Sequence, residues 1–328
     1  MLADPARSYD LIGDVHGCAR TLEALLERLG YRRQGGVWRH PWRQVIFLGD
    51  IVDRGPRIRE ALHLVHDMVE ADQALCIMGN HEFNLLAWST PAPPDSARKY
   101  VRERTPRHER ALRQTLDQFA DHPADLHDFL AWFYRLPLFL DAKRFRVVHA
   151  CWDASLIDAV LRHYPDGRID EPFLLAAAHP GSFATQVFDR LLRGINIRLP
   201  RGLTMTSRDG FTRAFFRSKF WEEDPQTYGD IVFQPDALPV QVAQTPLPPL
   251  QKAELLSYGS DEPPLFVGHY WRQGHPALIR PNLACLDYSA VMYGKLLAYR
   301  LDQETRLDPG KFVWVDVERP ESPHEWCD

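Results

Sequence analysis

Asp14 and His16 lie within Gly13 to Gly17, and Asp50, Asp53 and Arg54 within Gly49 to Gly55; Asn80 and His81 precede Glu82, His149 sits in Val148-His149-Ala150, and His269 follows Gly268. Together these side chains offer enough carboxylate, imidazole and amide donors for two metal ions. Asp14 and His16 are two residues apart, so an extended backbone turns both to one side, where they can hold one ion. Asp50 has two carboxylate oxygens and can bridge. The donors divide into Asp14, His16 and Asp50 for a first ion, and Asp50, Asn80, His149 and His269 for a second. Nitrogen and oxygen donors without sulfur suit Mn²⁺, Fe, Zn²⁺ or Ni²⁺ and do not choose among them; Mn²⁺ is the first expectation. Two ions about 3.5–4 Å apart can lower the pKa of a shared water and neutralise charge on a transferring phosphoryl group, so hydrolysis of a phosphate ester or anhydride is the reaction such a set serves best. The leaving oxygen then needs a proton. His81 is the candidate general acid, Asp53 the group that fixes its tautomer, and Arg54 the planar fork that clamps phosphate oxygens.

An element must deliver each of these residues, and the sequence places an apolar run before each: Tyr9 to Ile12, Val45 to Leu48, Leu75 to Met78, Phe145 to Val148 and Leu265 to Val267. Buried strands that release polar residues at their carboxyl ends are the pattern of a layered α/β fold. Leu22, Leu25, Leu26 and Leu29 make one face of a helix that Gly30 ends, and Ile58, Leu62, Val65 and Val69 mark the next helix. A hairpin is expected from Gly36 to Arg39 back along Gln44 to Leu48. Residues 91 to about 135 read as an insertion: a loop rich in proline and charge, then helical material with Leu112, Leu116 and Phe119 on one face. Asp153 is placed to cap a helix. From about 164 to 264 the periodicity weakens and prolines cluster, which reads as a cap inserted into a single catalytic domain spanning 1–328. The runs at Leu265 to Val267, Leu283 to Leu286, Lys295 to Tyr299 and Phe312 to Val317 are expected to complete the core as an antiparallel sheet.

The 328 residues are 45% hydrophobic and 25% charged with a net charge of −5, which suits a folded globular chain and argues against a surface built to coat nucleic acid or an anionic membrane. Met1 to Asp10 lacks the basic start and apolar core of a secretion signal, and no apolar stretch approaches a membrane span, so a cytoplasmic location is the expectation. Cys18, Cys76, Cys151, Cys285 and Cys327 are odd in number and form no CxxC pair, against a disulfide framework or a thiolate zinc site.

The segments GDVHG, GDIVDRG, GNHE, VHA and GH, in that order, resemble the calcineurin-like metallophosphoesterases, and most closely the branch of serine/threonine phosphoprotein phosphatases and symmetrical dinucleoside tetraphosphate hydrolases. The resemblance implies a four-layer α/β/β/α sandwich with a dinuclear site, and the roles given above to Asp14, His16, Asp50, Asn80, His149, His269, His81, Asp53 and Arg54. Where many members of the wider family carry GHxH, this chain has Gly268-His269-Tyr270-Trp271, as the GDxVDRG branch does. Glu82 reads as a capping or buried hydrogen-bonding residue.

Between Arg190 and Phe220, eight arginines and lysines stand against the single acid Asp209, with Phe211, Phe215, Phe216 and Phe220 interleaved. Ser207 to Gly210 reads as a hairpin turn. A solvated basic face accounts for such a run; so does a cap in which Arg213 and Arg217 bind phosphate beside aromatics. The expected activity is that of a metal-dependent phosphohydrolase, protein serine/threonine phosphatase-like, with dinucleoside polyphosphates, nucleotides or RNA ends as alternative substrates and a non-catalytic phosphate-binding module as the non-enzyme alternative. No membrane partner and no stable nucleic-acid complex are expected.

Overall fold

The computed structural model describes residues 3–4, 6–200, 202–206, 212–233, 238–253 and 255–317, with the side chains of Met205 and Arg213 outside that description. The chain opens on β1 (Ser8–Ile12) and α1 (Ala19–Leu29), whose buried Leu22, Leu25, Leu26 and Leu29 form the expected stripe and whose Gly30 turns left-handed at φ 95°. A hairpin of β2 (Arg32–Gln34) and β3 (Val37–Arg39) follows, then β4 (Arg43–Phe47), α2 (Ile58–Glu70), β5 (Ala74–Cys76) and α3 (Asn80–Ser89). The hairpin differs from expectation. Val37–Arg39 pairs back on Arg32–Gln34 across Gly35 and Gly36, both at positive φ, while β4 leaves it to lie parallel to β1 with Ile12 opposite Phe47. Two adjacent glycines supply the left-handed turn a tight hairpin requires.

Next come α4 (Pro106–Gln118), α5 (Pro123–Phe133), β6 (Phe139–Asp141), β7 (Arg146–Val148) and α6 (Ala154–Leu161), which Asp153 caps by accepting from the Leu156 N–H. The segment in which the periodicity weakens nevertheless holds α7 (Glu171–Ala176) and α8 (Phe183–Arg193), the latter burying Ala184, Val187, Phe188, Leu191 and Leu192. Small strands β8 (Asn196–Arg198), β9 (Met205–Thr206), β10 (Thr212–Arg213), β11 (Phe215–Ser218) and β12 (Val232–Phe233) follow, with β9 antiparallel to β10. The turn expected at 207–210 lies outside the described residues.

The chain closes with β13 (Leu265–Val267), β14 (Leu283–Cys285), β15 (Asp287–Tyr288), β16 (Lys295–Leu301) and β17 (Phe312–Asp316). These do not make one antiparallel sheet. β13 lies parallel to both β7 and β14 in a sheet ordered β14-β13-β7-β6, whereas β16 runs antiparallel to β1, β15 and β17 in a sheet ordered β15-β16-β1-β4-β5. The reason is the alternation of side chains along each strand. Leu11, Ile46, Val147, Phe266 and Tyr299 join one apolar cluster between the sheets, while their neighbours Ile12, Phe47, Val148, Val267 and Ala298 join a second cluster that includes the helix residues Leu22, Val65 and Leu191. Every such strand is buried on both faces, and two helix-covered sheets packed face to face give an α/β/β/α sandwich. Among the described residues no helix is long and apolar enough to cross a membrane.

Candidate metal centre

The loops leaving β1 and β4 are zipped together. The Val15 and His16 N–H groups donate to the Asp50 carbonyl at 3.1 and 2.9 Å, and Gly17 N–H donates to that of Ile51 at 2.8 Å. β1 has therefore ended at Ile12, and His16 stands at φ 43°, so Asp14 and His16 are not alternate residues of an extended strand. His16 joins Asp50 and His81 in a group whose possible ligand atoms all lie within 4.8 Å of one another; a second such group contains Asp50, His149 and His269. Asp14 belongs to neither. Its two oxygens accept from the His269 N–H at 3.3 Å each, and a Cβ at Gly268 would stand 2.2 Å from its Oδ1. Burial, and then the charge of Asp287, pushes its carboxyl well above the usual range.

Asp50 is common to both groups. Its Oδ2 lies 3.3 Å from His149 Nε2, 3.7 Å from His16 Nε2 and 3.9 Å from His81 Nε2. Its left-handed backbone (φ 53°) is fixed by Glu82, whose buried carboxylate accepts from the N–H groups of Asp50, Ile51, Val52 and Gly79 at 2.8, 2.7, 3.2 and 2.9 Å. Glu82 thus ties the start of α3 to the loop after β4, in keeping with its reading as a buried hydrogen-bonding residue. A side chain at Gly79 would strike Asp50 Oδ1 at 2.3 Å.

Backbone carbonyls set the imidazole tautomers. His16 Nδ1 lies 2.8 Å from the Val52 carbonyl, His149 Nδ1 2.7 Å from that of Leu48, and His269 Nε2 3.1 Å from that of Arg193 at the end of α8. A carbonyl only accepts, so each of those nitrogens carries a proton, and it is the opposite nitrogen of each ring that faces the shared space, free in neutral His16 and His269 and open to a cation in His149 once its second proton leaves. Burial, with nearby cationic side chains, holds His16 and His269 well below their usual pKa. For His149 burial also lowers the pKa, but the Asp50 carboxylate outweighs it and pushes the imidazole up to about 10. Burial alone would raise Asp50; His149 and His81 instead hold it well below the carboxylate range. Asn80, first in α3, sits between the rings, 3.1 Å from His149 Nε2 and, with its amide turned to satisfy its hydrogen bonds, 2.6 Å from His269 Nδ1. Buried imidazole lone pairs converging on one carboxylate, without sulfur, fit a divalent cation of the first transition row.

His81 lies beside this cluster, its ring edge-on to His16 with centroids 4.7 Å apart. Its Nδ1 is 2.5 Å from Asp53 Oδ2. The other Asp53 oxygen accepts from the Thr115 hydroxyl, whose oxygen accepts the Asp53 N–H at 3.0 Å. Thr115, fully buried on α4, was not among the residues expected from sequence; the only signal was a hydroxyl on the same face as Leu112 and Phe119. Arg54 Nη1 lies 3.4 Å from His16 Nε2. Arg217 donates to the His269 carbonyl at 3.1 Å and stands over the Tyr270 ring, so it touches the backbone of a possible ligand. The Arg213 side chain is outside the described residues.

Residues 9–182 match the model of the calcineurin-like phosphoesterases. The chain belongs to that family. Among curated relatives it is 35% identical over 142 residues, 43% of this chain and 54% of the other, to bis(5'-nucleosyl)-tetraphosphatase PrpE (asymmetrical) of Oceanobacillus iheyensis. It is 45% identical over 74 residues, 22% of this chain and 30% of the other, to the protein of the same name in Halalkalibacterium halodurans. The chain thus spans at most about half the length of the curated relatives it matches. Among solved structures, a protein serine/threonine phosphatase from Saccharomyces cerevisiae aligns over 97% of this chain and 82% of its own at 15% identity and a TM-score of 0.49. A cold-active protein-tyrosine phosphatase of a Shewanella species aligns over 95% and 80% at 14% identity and a TM-score of 0.45.

Proposed function

We propose that this protein is a phosphohydrolase that works with two divalent metal ions, Mn²⁺ first among them, and cleaves the phosphoanhydride bonds of nucleoside polyphosphates. The observation that carries the reading is Asp50, a single carboxylate shared by two three-residue donor groups. In that reading His16 and Asp50, with Asp14 beside them, hold one ion, and Asp50, Asn80, His149 and His269 hold the other. Ions bound there would polarise the phosphoryl oxygens and offset their negative charge. The chain's own residues do the rest. Arg54 presents its fork to phosphate oxygens, and His81 donates a proton from Nε2 to the leaving oxygen while Asp53 keeps the Nδ1 proton in place. Membership of the phosphoesterase family and the names of the curated relatives support hydrolysis, and those names favour the anhydride over the phosphoprotein. One catalytic domain with insertions at 91–135 and 164–264 is part of the same reading.

The test is the purified protein with Mn²⁺, assayed in parallel on diadenosine tetraphosphate, a phosphoserine peptide, a phosphorylated oligonucleotide and p-nitrophenyl phosphate. Diadenosine tetraphosphate should be turned over most efficiently, and Asp50→Asn should lower bound metal from two ions towards one or none and activity by several orders of magnitude. Full activity with one equivalent of metal overturns the two-ion reading. Preference for the phosphopeptide overturns the substrate.

A further inference from the structure

Arg102 and Arg193 stand together beside α3, the helix that begins with Asn80 and His81. α3, α8, the 91–105 loop and the start of α4 border an open cavity of about 210 Å³ whose lining includes Phe83, Arg102, Glu103, His108, Asp189 and Arg193. We propose that this cavity is a second anion subsite, in which Arg102 and Arg193 receive a phosphate of the substrate other than the one bound at the Asp50 cluster. The proposal rests on the phosphohydrolase reading of that cluster and extends it to the rest of the substrate.

The two arginines are held differently. Arg193 is ion-paired to Asp189, donates to Asn84 Oδ1 at 2.6 Å, and stands 5.1 Å over the Phe83 ring, which is itself stacked on Phe188 with centroids 4.0 Å apart. Its backbone carbonyl receives the His269 Nε2–H, so the cavity wall and the metal centre share this residue. Arg102 is half-buried, and among the described residues its guanidinium has no hydrogen-bond or ion-pair partner. Burial, and then the like charges of Arg193 and Arg107, pulls its pKa down to about 10. It remains a cation at neutral pH, partly stripped of water beside two others, an arrangement that an incoming anion relieves.

The cavity lies against the helix that carries Asn80 and His81, and Arg102 is within electrostatic range of Asp53. The Arg102 N–H donates to the Ala87 carbonyl at 2.9 Å, near the far end of the helix that begins with Asn80 and His81. Ala87 lies six positions beyond His81, about 9 Å along the axis. A single phosphoryl group does not span that distance, whereas a polyphosphate chain with a long arginine reaching back to it does. The paired aromatic rings at the wall add an apolar surface beside the charge.

The test is calorimetric binding of inorganic tripolyphosphate and of orthophosphate to the metal-loaded protein, with Mn²⁺ in excess of the polyphosphate and phosphate release monitored so that only titrations completed before hydrolysis are read. Wild type should bind tripolyphosphate the more tightly, by a margin that shrinks with added salt. Arg102→Ala should weaken tripolyphosphate about 10- to 100-fold, the range of one charge-assisted contact, and shift orthophosphate less than twofold. Arg102→Lys, which keeps the charge and loses the fork, should fall between. Thermal melts of both variants, with Arg102→Gln as a further substitution should alanine fail to fold, separate a lost subsite from a loosened loop. Equal weakening of both anions, or no weakening of either, overturns the subsite. Wild-type protein that hydrolyses nothing in the substrate panel yet shows the Arg102-dependent difference would overturn the hydrolase reading and leave the subsite standing.

Discussion

Thr115→Val removes one hydroxyl from the fully buried side chain that holds Asp53. In the native protein that hydroxyl donates to the second Asp53 oxygen and its oxygen accepts the Asp53 N–H at 3.0 Å. Valine has nearly the same shape and can do neither. Losing a hydrogen bond to a charged group costs roughly 1.5–3 kcal/mol, and a buried N–H left without an acceptor roughly 1–3 more. The added methyl recovers about 0.8 kcal/mol. The net loss is about 2–5 kcal/mol, a large part of the stability of an ordinary domain. Urea unfolding monitored by circular dichroism should show the midpoint falling with an unchanged slope. Thr115→Ser keeps both hydrogen bonds and should restore most of the loss. With Asp53 loosened, the His81 imidazole is less well aimed, so turnover of an alkyl phosphate should fall at least about tenfold more than that of p-nitrophenyl phosphate, whose leaving group departs without a proton. A Val variant within about 0.5 kcal/mol of wild type, or a Ser variant as unstable as Val, would refute the assignment of Thr115 as the anchor of Asp53.

His81→Asn should show the same leaving-group dependence in stronger form, and an equal loss on alkyl and nitrophenyl substrates would mean that His81 serves the metals instead. Metal binding should be proton-linked. His149 is raised to about 10 by Asp50, so at neutral pH it holds a proton that a cation must displace, and Mn²⁺ affinity should rise with pH between 6 and 9. Titration calorimetry in buffers of different ionisation enthalpy should detect that proton release at pH 7, and pH-independent affinity would refute it. The same shift predicts that, with chelator present, the His149–Asp50 contribution to folding is complete below the unfolded imidazole pKa of about 6.5 and is lost as pH rises towards 10.

The local sequence determined the identity of the chemical groups and their delivery. Gly30 ends α1 and Asp153 caps α6 because left-handed glycine and side-chain capping are local events, and the apolar runs ahead of Asp14, Asp50 and His149 are strands because burial on both faces requires continuous apolar residues. Which groups meet is decided at long range. Side-chain alternation places Asp14 with His16 only if the strand continues, and the hydrogen bonds of Val15 and His16 to Asp50 end it, sending His16 towards His81 and Asp14 towards His269. His16, Asp50, Asp53, Arg54 and His269 all stand at positive φ, a conformation that costs a non-glycine residue about 1–3 kcal/mol and that local preference does not foretell; packing of the loops against one another imposes it. The same holds for Thr115, for the Arg193 carbonyl that sets the His269 tautomer, and for the split of the terminal strands between two sheets. Each depends on a partner tens to hundreds of residues away, and a residue's own sequence neighbourhood contains no record of which surface it will be pressed against.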